Sequence, residues 1–239
     1  MRQVTQFLDE ISNKSLLVVF PHPDDESVMV GGLIVTALKM GWRVSVLTLT
    51  EGEMGKIHIN GKGRSSREIR REEMAAAMSR LGVADWVMWQ FADGRLRQTS
   101  KWKERLAEFV RITDPGLMVS YDLSGVSGHP DHISLGLEML RIARKTDTPL
   151  LWPSFVGWER EKMVDSRVDK YLNMPNLESE LSLRESVRKW MAVFSHRSQK
   201  LSGFLGVVGW LAMFLMRKER FAKMEKSKIY RYRYVKFKL

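Results

Sequence analysis

Short apolar runs alternate with helix-like patterns along the first two thirds of the chain. Five runs have the length and composition of buried strands, at residues 15–20, 43–50, 86–91, 117–121 and 149–152. Three intervening segments have the apolar spacing that is typical of helices, at residues 26–40, 66–81 and 101–112. Gly41 and Gly82 end the first two, and Pro115 follows the third. This alternation predicts an α/β fold, a Rossmann-like three-layer sandwich with a mostly parallel central sheet.

Polar clusters follow the predicted strands directly. The sequences PHPDDE, TEGEMG, ADGRL and DLSGVSGHPDH come after the first, second, third and fourth strand. Ligands of open α/β sheets bind beyond the carboxyl ends of the strands, so we expect the functional site at that edge. A dinucleotide site is not expected, because the turn after the first strand is acidic and lacks the glycine-rich sequence that such a site requires.

The last third of the chain has a looser pattern. A helix is predicted at residues 177–194, and an uncharged apolar stretch follows at residues 201–216. The formal net charge is +11, and residues 217–239 hold ten Lys and Arg against two Glu, so the basic charge is concentrated in this tail. We therefore divide the chain into a catalytic domain at residues 1–200 and an apolar segment with a basic tail at residues 201–239.

Two interpretations of residues 201–239 stay open at this point. The apolar part is shorter than the roughly twenty residues of a spanning helix, so it either packs on the domain or makes a peripheral contact with the inner surface of the membrane. No nucleic acid partner is expected, because the charge is confined to the tail and no nucleic-acid-binding motif is present. The first residues lack the pattern of a secretory signal, so the expected compartment is the cytoplasm.

Histidine and aspartate residues form a candidate metal site. The chain has no Cys, so a metal ion must be bound by His, Asp or Glu. The tripeptide His-Pro-Asp occurs twice, at residues 22–24 and 129–131. A turn can direct His22 and Asp25 to one point, and His132, arriving after the fourth strand, completes a set of two nitrogens and one oxygen. Three ligands with an open fourth position are typical of a catalytic zinc, which activates water at neutral pH.

The other residues of these two motifs are candidates for catalytic roles. Asp24 neighbours the ligands and is a candidate to accept the proton of the attacking water. His129 is a candidate to stabilise an oxyanion or to protonate a leaving amine, and Asp131 to orient an imidazole. Either motif alone is also typical of a turn whose aspartate caps the following helix, and the second copy at the same sheet edge favours the metal site. Glu26 is interpreted as a favourable charge in the first helical turn.

Several motifs together resemble one enzyme family. The sequences VFPHPDDE, IRREEMAAAMSRLGV, FADGRL and GHPDH are similar to those of the LmbE-like, PIG-L-type N-acetylglucosaminyl deacetylases. The resemblance covers residues 16–132, and HRSQ at residues 196–199 is similar to a C-terminal element of that family. LTLTEGEMG and FPHPDDE resemble in particular the subgroup that deacetylates N-acetylglucosaminyl-malate on the way to bacillithiol.

The resemblance implies roles for individual residues. It implies that the zinc ligands are His22, Asp25 and His132. It also implies that Asp24 is the general base and that His129 assists at the tetrahedral intermediate. Arg70 and Asp93 match positions that bind substrate, and the alternatives are an ion pair of Arg70 with Glu73 or Glu72 along its helix and a turn at Asp93. His196 is a third candidate for substrate binding, with a favourable charge at a helix end as its alternative.

These motifs predict a zinc-dependent hydrolase that removes the N-acetyl group from a small N-acetylglucosamine conjugate. Fe²⁺ is the alternative metal. The alternatives in function are an amidase of larger acyl-glucosamine conjugates and a membrane-associated deacetylase of a glycolipid. Two histidines and one carboxylate also occur in non-haem Fe(II) oxygenases, and a non-catalytic adaptor acting through the tail is the alternative outside enzymes.

Overall fold

We describe residues 1–199 and 216–224 of a computed structural model of the chain. The strands within these residues are Arg2–Gln3 (β1), Ser15–Phe20 (β2), Arg43–Thr50 (β3), Asp85–Phe91 (β4), Leu117–Val119 (β5), Leu150–Ser154 (β6), Leu177–Glu180 (β7) and Lys218–Lys223 (β8). The α-helices are Val4–Asp9 (α1), Asp25–Lys39 (α2), Ser66–Leu81 (α3), Lys101–Thr113 (α4), Gly125–Gly128 (α5), Pro130–Thr146 (α6), Gly157–Met163 (α7) and Leu183–Val193 (α8).

All of these strands belong to one sheet, in the order β1-β7-β8-β6-β5-β2-β3-β4. Strand β2 lies in the interior and pairs in parallel with both β3 and β5. Strand β8 is antiparallel to β6 and to β7, and the remaining pairs are parallel. The predicted α/β fold with a mostly parallel sheet is therefore confirmed. Because neighbouring parallel strands end at the same edge, the segments that follow β2, β3 and β5 emerge side by side.

Apolar side chains cover both faces of the sheet. Leu16, Val18 and Phe20 of β2 join one buried cluster with residues of α2 and α3, and Leu17 and Val19 join a second cluster with residues of α4 and α6. Because successive side chains of a strand point to opposite faces, a central strand buried on both sides has a continuous apolar sequence, as SLLVVF does. The two clusters are the two interfaces of a three-layer sandwich.

The region around residue 180 differs from its prediction. The single helix predicted at residues 177–194 is wrong: the chain forms strand β7 at Leu177–Glu180 and only then helix α8 at Leu183–Val193. Ser182 and Glu185 form a capping box, in which each side chain bonds the backbone N–H of the other residue, and this starts the helix. All four residues of β7 pair with β8, and Leu177 and Glu178 also pair with β1, so sheet pairing determines their conformation.

Part of the predicted tail lies in the middle of the sheet. Lys218–Lys223 forms β8 between β6 and β7, so these six residues of the predicted segment at residues 201–239 pair with strands of the domain predicted at residues 1–200. Residues 200–215 and 225–239, which include most of the predicted apolar segment and basic tail, lie outside the described residues. Within the described part of the chain, every helix is too short or too polar to cross a membrane.

Candidate active site

The candidate site lies at the carboxyl ends of β2 and β5. After Phe20, the last residue of β2, a turn leads into helix α2, whose first residue is Asp25. After Val119, the last residue of β5, the chain passes Tyr121 and enters helix α6, which contains His132. Since β2 and β5 are adjacent and parallel, the two turns meet at one edge of the sheet.

Three donor atoms converge at this edge. His22 Nδ1 lies 3.1 Å from His132 Nε2 and 3.4 Å from Asp25 Oδ2, and His132 Nε2 lies 3.7 Å from the same carboxylate oxygen. Ligand atoms of a tetrahedral zinc with bonds of about 2.0–2.1 Å lie about 3.3 Å apart. The three atoms therefore already have the spacing of one face of a zinc tetrahedron, and a fourth position is left for a ligand.

Neighbouring groups orient Asp25 and His132. The hydroxyl of Tyr121 donates a hydrogen bond of 2.6 Å to Asp25 Oδ1, and its ring stacks on His132 with 4.1 Å between the ring centroids. The Gly125 carbonyl lies 2.9 Å from His132 Nδ1, which places the proton of the neutral imidazole on Nδ1 and leaves Nε2 free as a ligand. Gly125 has a φ of +57°, and a Cβ there would lie 2.8 Å from His132 Cβ, so this approach requires glycine.

Two carboxylates contact the other nitrogen of His22. Its Nε2 lies 3.0 Å from Asp93 Oδ1 and 3.5 Å from Asp131 Oδ2. Asp131 is fully buried and accepts hydrogen bonds from the backbone N–H groups of Gly94, at 2.8 Å, and Leu96, at 3.0 Å. Asp131 thus lies where an orienting group for an imidazole was expected. Asp93 lies against the same ring, so its position favours orienting His22, and a contact with substrate stays a prediction.

The donor groups around His22 permit other sets of ligands. His22, His129 and His132 each have a ring nitrogen within 4.8 Å of the other two, and His22, Asp93 and Asp131 each have a donor atom within the same distance of one another. We favour the set with Asp25 because all three of its separations, 3.1–3.7 Å, lie near the spacing of about 3.3 Å between ligand atoms of a tetrahedral zinc. In that set Asp93 and Asp131 contact the ligand imidazole from behind, as carboxylates commonly do in metal sites.

The electrostatics of the site favour a cation at the convergence point. Burial alone would lower the pKa of His22, but contacts with the carboxylates of Asp131, Asp25 and Asp93 raise it well above its usual value. Burial lowers the pKa of His132 to about 4, so this ring is neutral and able to bind a metal. Burial would raise the pKa of Asp25, yet His132 and His22 hold it below the usual range, so this carboxylate is ionised.

Asp24 adopts an unusual backbone conformation beside the three donor atoms. Its φ is +122°, and although it precedes the first residue of α2, its side chain makes no capping hydrogen bond. Its Oδ2 lies 3.4 Å from the Arg70 guanidinium, and its backbone N–H donates to Glu26 Oε2 at 3.2 Å. Burial raises the pKa of Asp24 to about 6, with Arg70 opposing the rise. This carboxylate is therefore available for proton transfer.

Arg70 lies behind Asp24 and is 2% exposed. Its guanidinium donates to the Pro23 carbonyl, and its Nε has no hydrogen-bond partner among the described residues. The alternative partner Glu73 instead accepts a hydrogen bond of 2.7 Å from the Ser198 backbone N–H. The structure thus brings Arg70 to the candidate base, and substrate binding by Arg70 stays a prediction.

His129 and His196 occupy different surroundings. His129 precedes helix α6, and its Nδ1 accepts a hydrogen bond of 3.2 Å from the Asp131 backbone N–H, so the proton of the neutral ring is on Nε2. Burial is the main cause that lowers the pKa of His129, and the charge of His22 lowers it further, so this ring is a neutral hydrogen-bond donor. The centroids of the His129 and His22 rings lie 4.9 Å apart. His196 is 1% exposed and lies 3.6 Å from Glu26 Oε1, which places it behind the turn; a direct contact with substrate stays a prediction.

One residue of the site has no counterpart in the sequence prediction. Tyr121 contacts both Asp25 and His132, but sequence reasoning treated it only as the end of a strand. Its only local signal is a tyrosine that immediately precedes the polar cluster after β5. Because buried tyrosine hydroxyls need a hydrogen-bond partner, a tyrosine at this position indicates a polar side chain nearby.

Comparison with known proteins agrees with the resemblance inferred from the motifs. Residues 17–143 match the PIG-L family, described as GlcNAc-PI de-N-acetylase. The 1D-myo-inositol 2-acetamido-2-deoxy-alpha-D-glucopyranoside deacetylase of Geodermatophilus obscurus is 31% identical over 178 residues, which are 63% of this chain and 60% of that protein. The protein named "Probable N-acetyl-alpha-D-glucosaminyl L-malate deacetylase 2" of Bacillus anthracis is 32% identical over 130 residues, which are 52% of this chain and 57% of that protein. The chain thus spans less than two thirds of the length of these relatives.

Solved structures share the fold at lower identity. The N,N'-diacetylchitobiose deacetylase from Pyrococcus horikoshii has a TM-score of 0.66 and 22% identity, covering 93% of this chain and 89% of that chain. The 4-carboxy-2-hydroxymuconate hydratase from Pseudomonas putida has a TM-score of 0.63 and 19% identity, covering 88% and 96%. Since one of these is named a deacetylase and the other a hydratase, the fold does not by itself specify a reaction.

Proposed function

The chain belongs to the PIG-L family, and from this membership and the geometry of the site we propose that it is a metal-dependent deacetylase of an N-acetylglucosamine conjugate. The proposal rests on one observation: His22, Asp25 and His132 place three donor atoms 3.1–3.7 Å apart, and Asp24 lines the same cavity as Asp25 and His132. The substrate class follows from the names of the relatives, which refer to acetylated glucosamine joined to inositol or malate.

Zn²⁺ is the metal that this donor set fits, through His22, Asp25 and His132. When bound there, it would lower the pKa of water and polarise the acetamide carbonyl. Two imidazoles and one carboxylate also suit Fe²⁺, which is the alternative metal for the same reaction.

The residues of the chain account for the proton transfers. Asp24 accepts a proton from the water as the water attacks the acetamide carbon. The Nε2–H of His129 donates a hydrogen bond to the oxyanion that develops on the carbonyl oxygen. Asp24 then returns its proton to the sugar nitrogen as the carbon–nitrogen bond breaks. The net reaction consumes one water and yields acetate and the free amino sugar conjugate.

Asp24→Asn tests the proposal. The amide cannot accept the proton, so we expect zinc binding to be retained and turnover to fall by about 10²–10⁴-fold. Zinc content is measured by elemental analysis after gel filtration, and turnover by acetate released from a set of N-acetylglucosaminides that includes the inositol and malate conjugates.

Asp9→Asn is the matched control. Asp9 is an exposed residue at the end of α1, so this substitution makes the same chemical change away from the site. It should leave both zinc content and turnover at the parent value. If Asp24→Asn hydrolyses its substrate at nearly the parent rate, Asp24 is not the base. If no N-acetylglucosaminide releases acetate with the zinc-loaded parent, the proposed reaction is wrong.

A further inference from the structure

A cavity of about 420 Å³ opens on the candidate active site, a size in the range of small-molecule sites. At one end it is lined by Asp24, Asp25, Tyr121 and His132, the residues of the metal and base site. A substrate whose acetamide group reaches these residues therefore extends part of its structure into the cavity. An inference about the part of the substrate that enters the cavity therefore rests on the proposed function, since the acetamide must first lie at the metal site.

The wall away from the metal site is mostly apolar. It is formed by side chains from α2, the segment after β6, α7 and α8, namely Val28, Met29, Phe155, Trp158, Trp190 and Val193. Trp158 is 58% exposed and belongs to helix α7, none of whose residues is buried. A large aromatic side chain that is exposed at the wall of a concave site is typical of a surface that contacts an apolar group.

The charged groups of the cavity neutralise one another. Of the four described cations that line it, three have a carboxylate within 3.1 Å: Lys189 with Glu219 at 2.8 Å, Arg220 with Glu159 at 2.6 Å, and Lys218 with Glu178 at 3.1 Å. Only Lys162 has no such partner within the described part of the chain. An anionic group, such as the dicarboxylate of malate or a phosphate, would find few free charges here. An uncharged apolar group would displace water from the wall without separating an ion pair.

The names of the relatives indicate which part of the substrate varies. In the two relatives from Geodermatophilus obscurus and Bacillus anthracis the acyl group is acetyl in both names, while the group joined to the sugar is inositol in one and malate in the other. The variable part is thus the aglycone, the group attached to the sugar, and the cavity is the place where this chain would accommodate it.

We propose that the apolar wall of this cavity binds an alkyl or aryl aglycone, so that the substrate is an apolar glycoside of N-acetylglucosamine. Each methylene that enters the cavity should strengthen binding about fourfold until the cavity is filled. Neither the inositol nor the malate group offers a comparable apolar surface.

The test uses two series of glycosides with methyl, butyl, hexyl and octyl aglycones, all kept below their micelle concentrations. Affinity is measured by titration calorimetry with the free glucosaminides, which cannot be deacetylated, and kcat/KM by acetate release from the N-acetylated series. We expect affinity and kcat/KM to rise together along the series. An affinity that does not change with chain length overturns the subsite, whatever the activity.

The two proposals can fail separately. Affinity that rises with chain length without acetate release supports the subsite and rejects the deacetylase. Acetate release that is equal for the methyl and octyl compounds, with equal affinities, supports the deacetylase and rejects the subsite. A preference for longer N-acyl chains on the methyl glycoside, with no effect of the aglycone, also overturns the proposal, because the cavity would then bind the acyl group.

Trp158→Gln locates the effect at the wall. Because Trp158 is exposed on a helix without buried residues, the variant should fold as the parent does and lose most of the increase with chain length. The methyl glycoside should be affected much less than the octyl glycoside. Ile112→Gln is the control, since Ile112 is 67% exposed on α4 and does not line the cavity. An unchanged dependence on chain length in Trp158→Gln would contradict the assignment of this wall.

Discussion

Glu219 of β8 is a buried carboxylate that connects the last described strand to helix α2. Val30 interrupts this helix with a φ of −142° and a ψ of 15°, so N–H groups in the next turn need acceptors from elsewhere. Glu219 accepts hydrogen bonds of 2.7 Å from both Gly32 and Leu33, and Lys189 Nζ lies 2.8 Å from the same carboxylate. Glu219→Gln removes the charge and turns an amide NH₂ group toward a backbone donor.

Two losses determine the expected effect. A hydrogen bond to a charged group contributes about 1.5–3 kcal/mol, and the variant loses at least one. Removing one partner of a buried ion pair costs about 3–5 kcal/mol, because the Lys189 ammonium remains buried without its counter-charge. Since these losses overlap, we expect the free energy of unfolding to fall by about 4 kcal/mol, which in a domain of this size lowers Tm by roughly 8–16 °C.

Urea unfolding followed by circular dichroism, together with calorimetry, measures the change. Lys218→Met is the matched control, because Lys218 is the neighbouring residue of β8 and its 3.1 Å pair with Glu178 is 44% exposed on the lysine side. Its loss should cost less than about 1 kcal/mol. The double variant Lys189→Met with Glu219→Gln should recover part of the loss, because no unpaired charge remains. If Glu219→Gln unfolds within about 1 kcal/mol of the parent, the buried pair and the position of β8 beside α2 are both in error.

Two further predictions concern the site. Tyr121→Phe keeps the stacked ring but removes the donor to Asp25, so zinc affinity should fall by about 10–100-fold in competition with a chromophoric chelator; an unchanged affinity would show that the hydroxyl does not orient the ligand. Gly52→Ala places a Cβ 2.6 Å from Arg70 Nε and should lower kcat by displacing the guanidinium from the candidate base. Gly63 has a comparable φ of +81°, and a Cβ there would have no atom within 4 Å, so Gly63→Ala is a control with the same backbone strain but no contact with Arg70. Equal kcat values for the two alanine variants would contradict a role for Arg70.

Central strands, and helices with clear capping residues at both ends, were predictable from local sequence. The predicted strands at residues 15–20 and 43–50 coincide with β2 and β3, because both are short runs rich in aliphatic and β-branched residues, as is typical of buried strands. Helix α3 coincides with its prediction at residues 66–81, because Ser65 caps its start and Gly82, with a φ of +85°, ends it. In these elements the local preference and the tertiary environment agree.

Strand β8 was not predictable in this way. Four of the six residues of Lys218–Lys223 are charged, a composition that is typical of an exposed tail. The strand forms because β6 and β7 provide partners on both sides and because Glu219 finds Lys189 and the interrupted helix α2. All of these contacts come from residues distant in the chain, so no local pattern indicates them.

The candidate site was predictable to the extent that it repeats a motif. Two copies of His-Pro-Asp at the same predicted edge of the sheet indicated that His22 and His132 would meet there, and the structure brings their nitrogens to 3.1 Å. The contacts behind them depend on loops whose approach is set by the whole fold. The Asp93 carboxylate reaches His22 Nε2 because β4 ends beside β3, and this is a relation between strands that spacing along the chain does not express.

Three successive carboxylates, at residues 24–26, are compatible because the backbone directs each to a different partner. The φ of +122° at Asp24 turns its carboxylate toward Arg70, while Asp25, the first residue of α2, faces His22 and His132. Glu26 is fully buried and accepts the backbone N–H of Asp24. A strained residue of this kind costs about 1–3 kcal/mol, and here the strain separates the candidate base from the candidate ligand. A regular helical start would instead place the Asp24 carboxylate on the helix N–H groups as a cap, where these hydrogen bonds would lower its affinity for a proton from water.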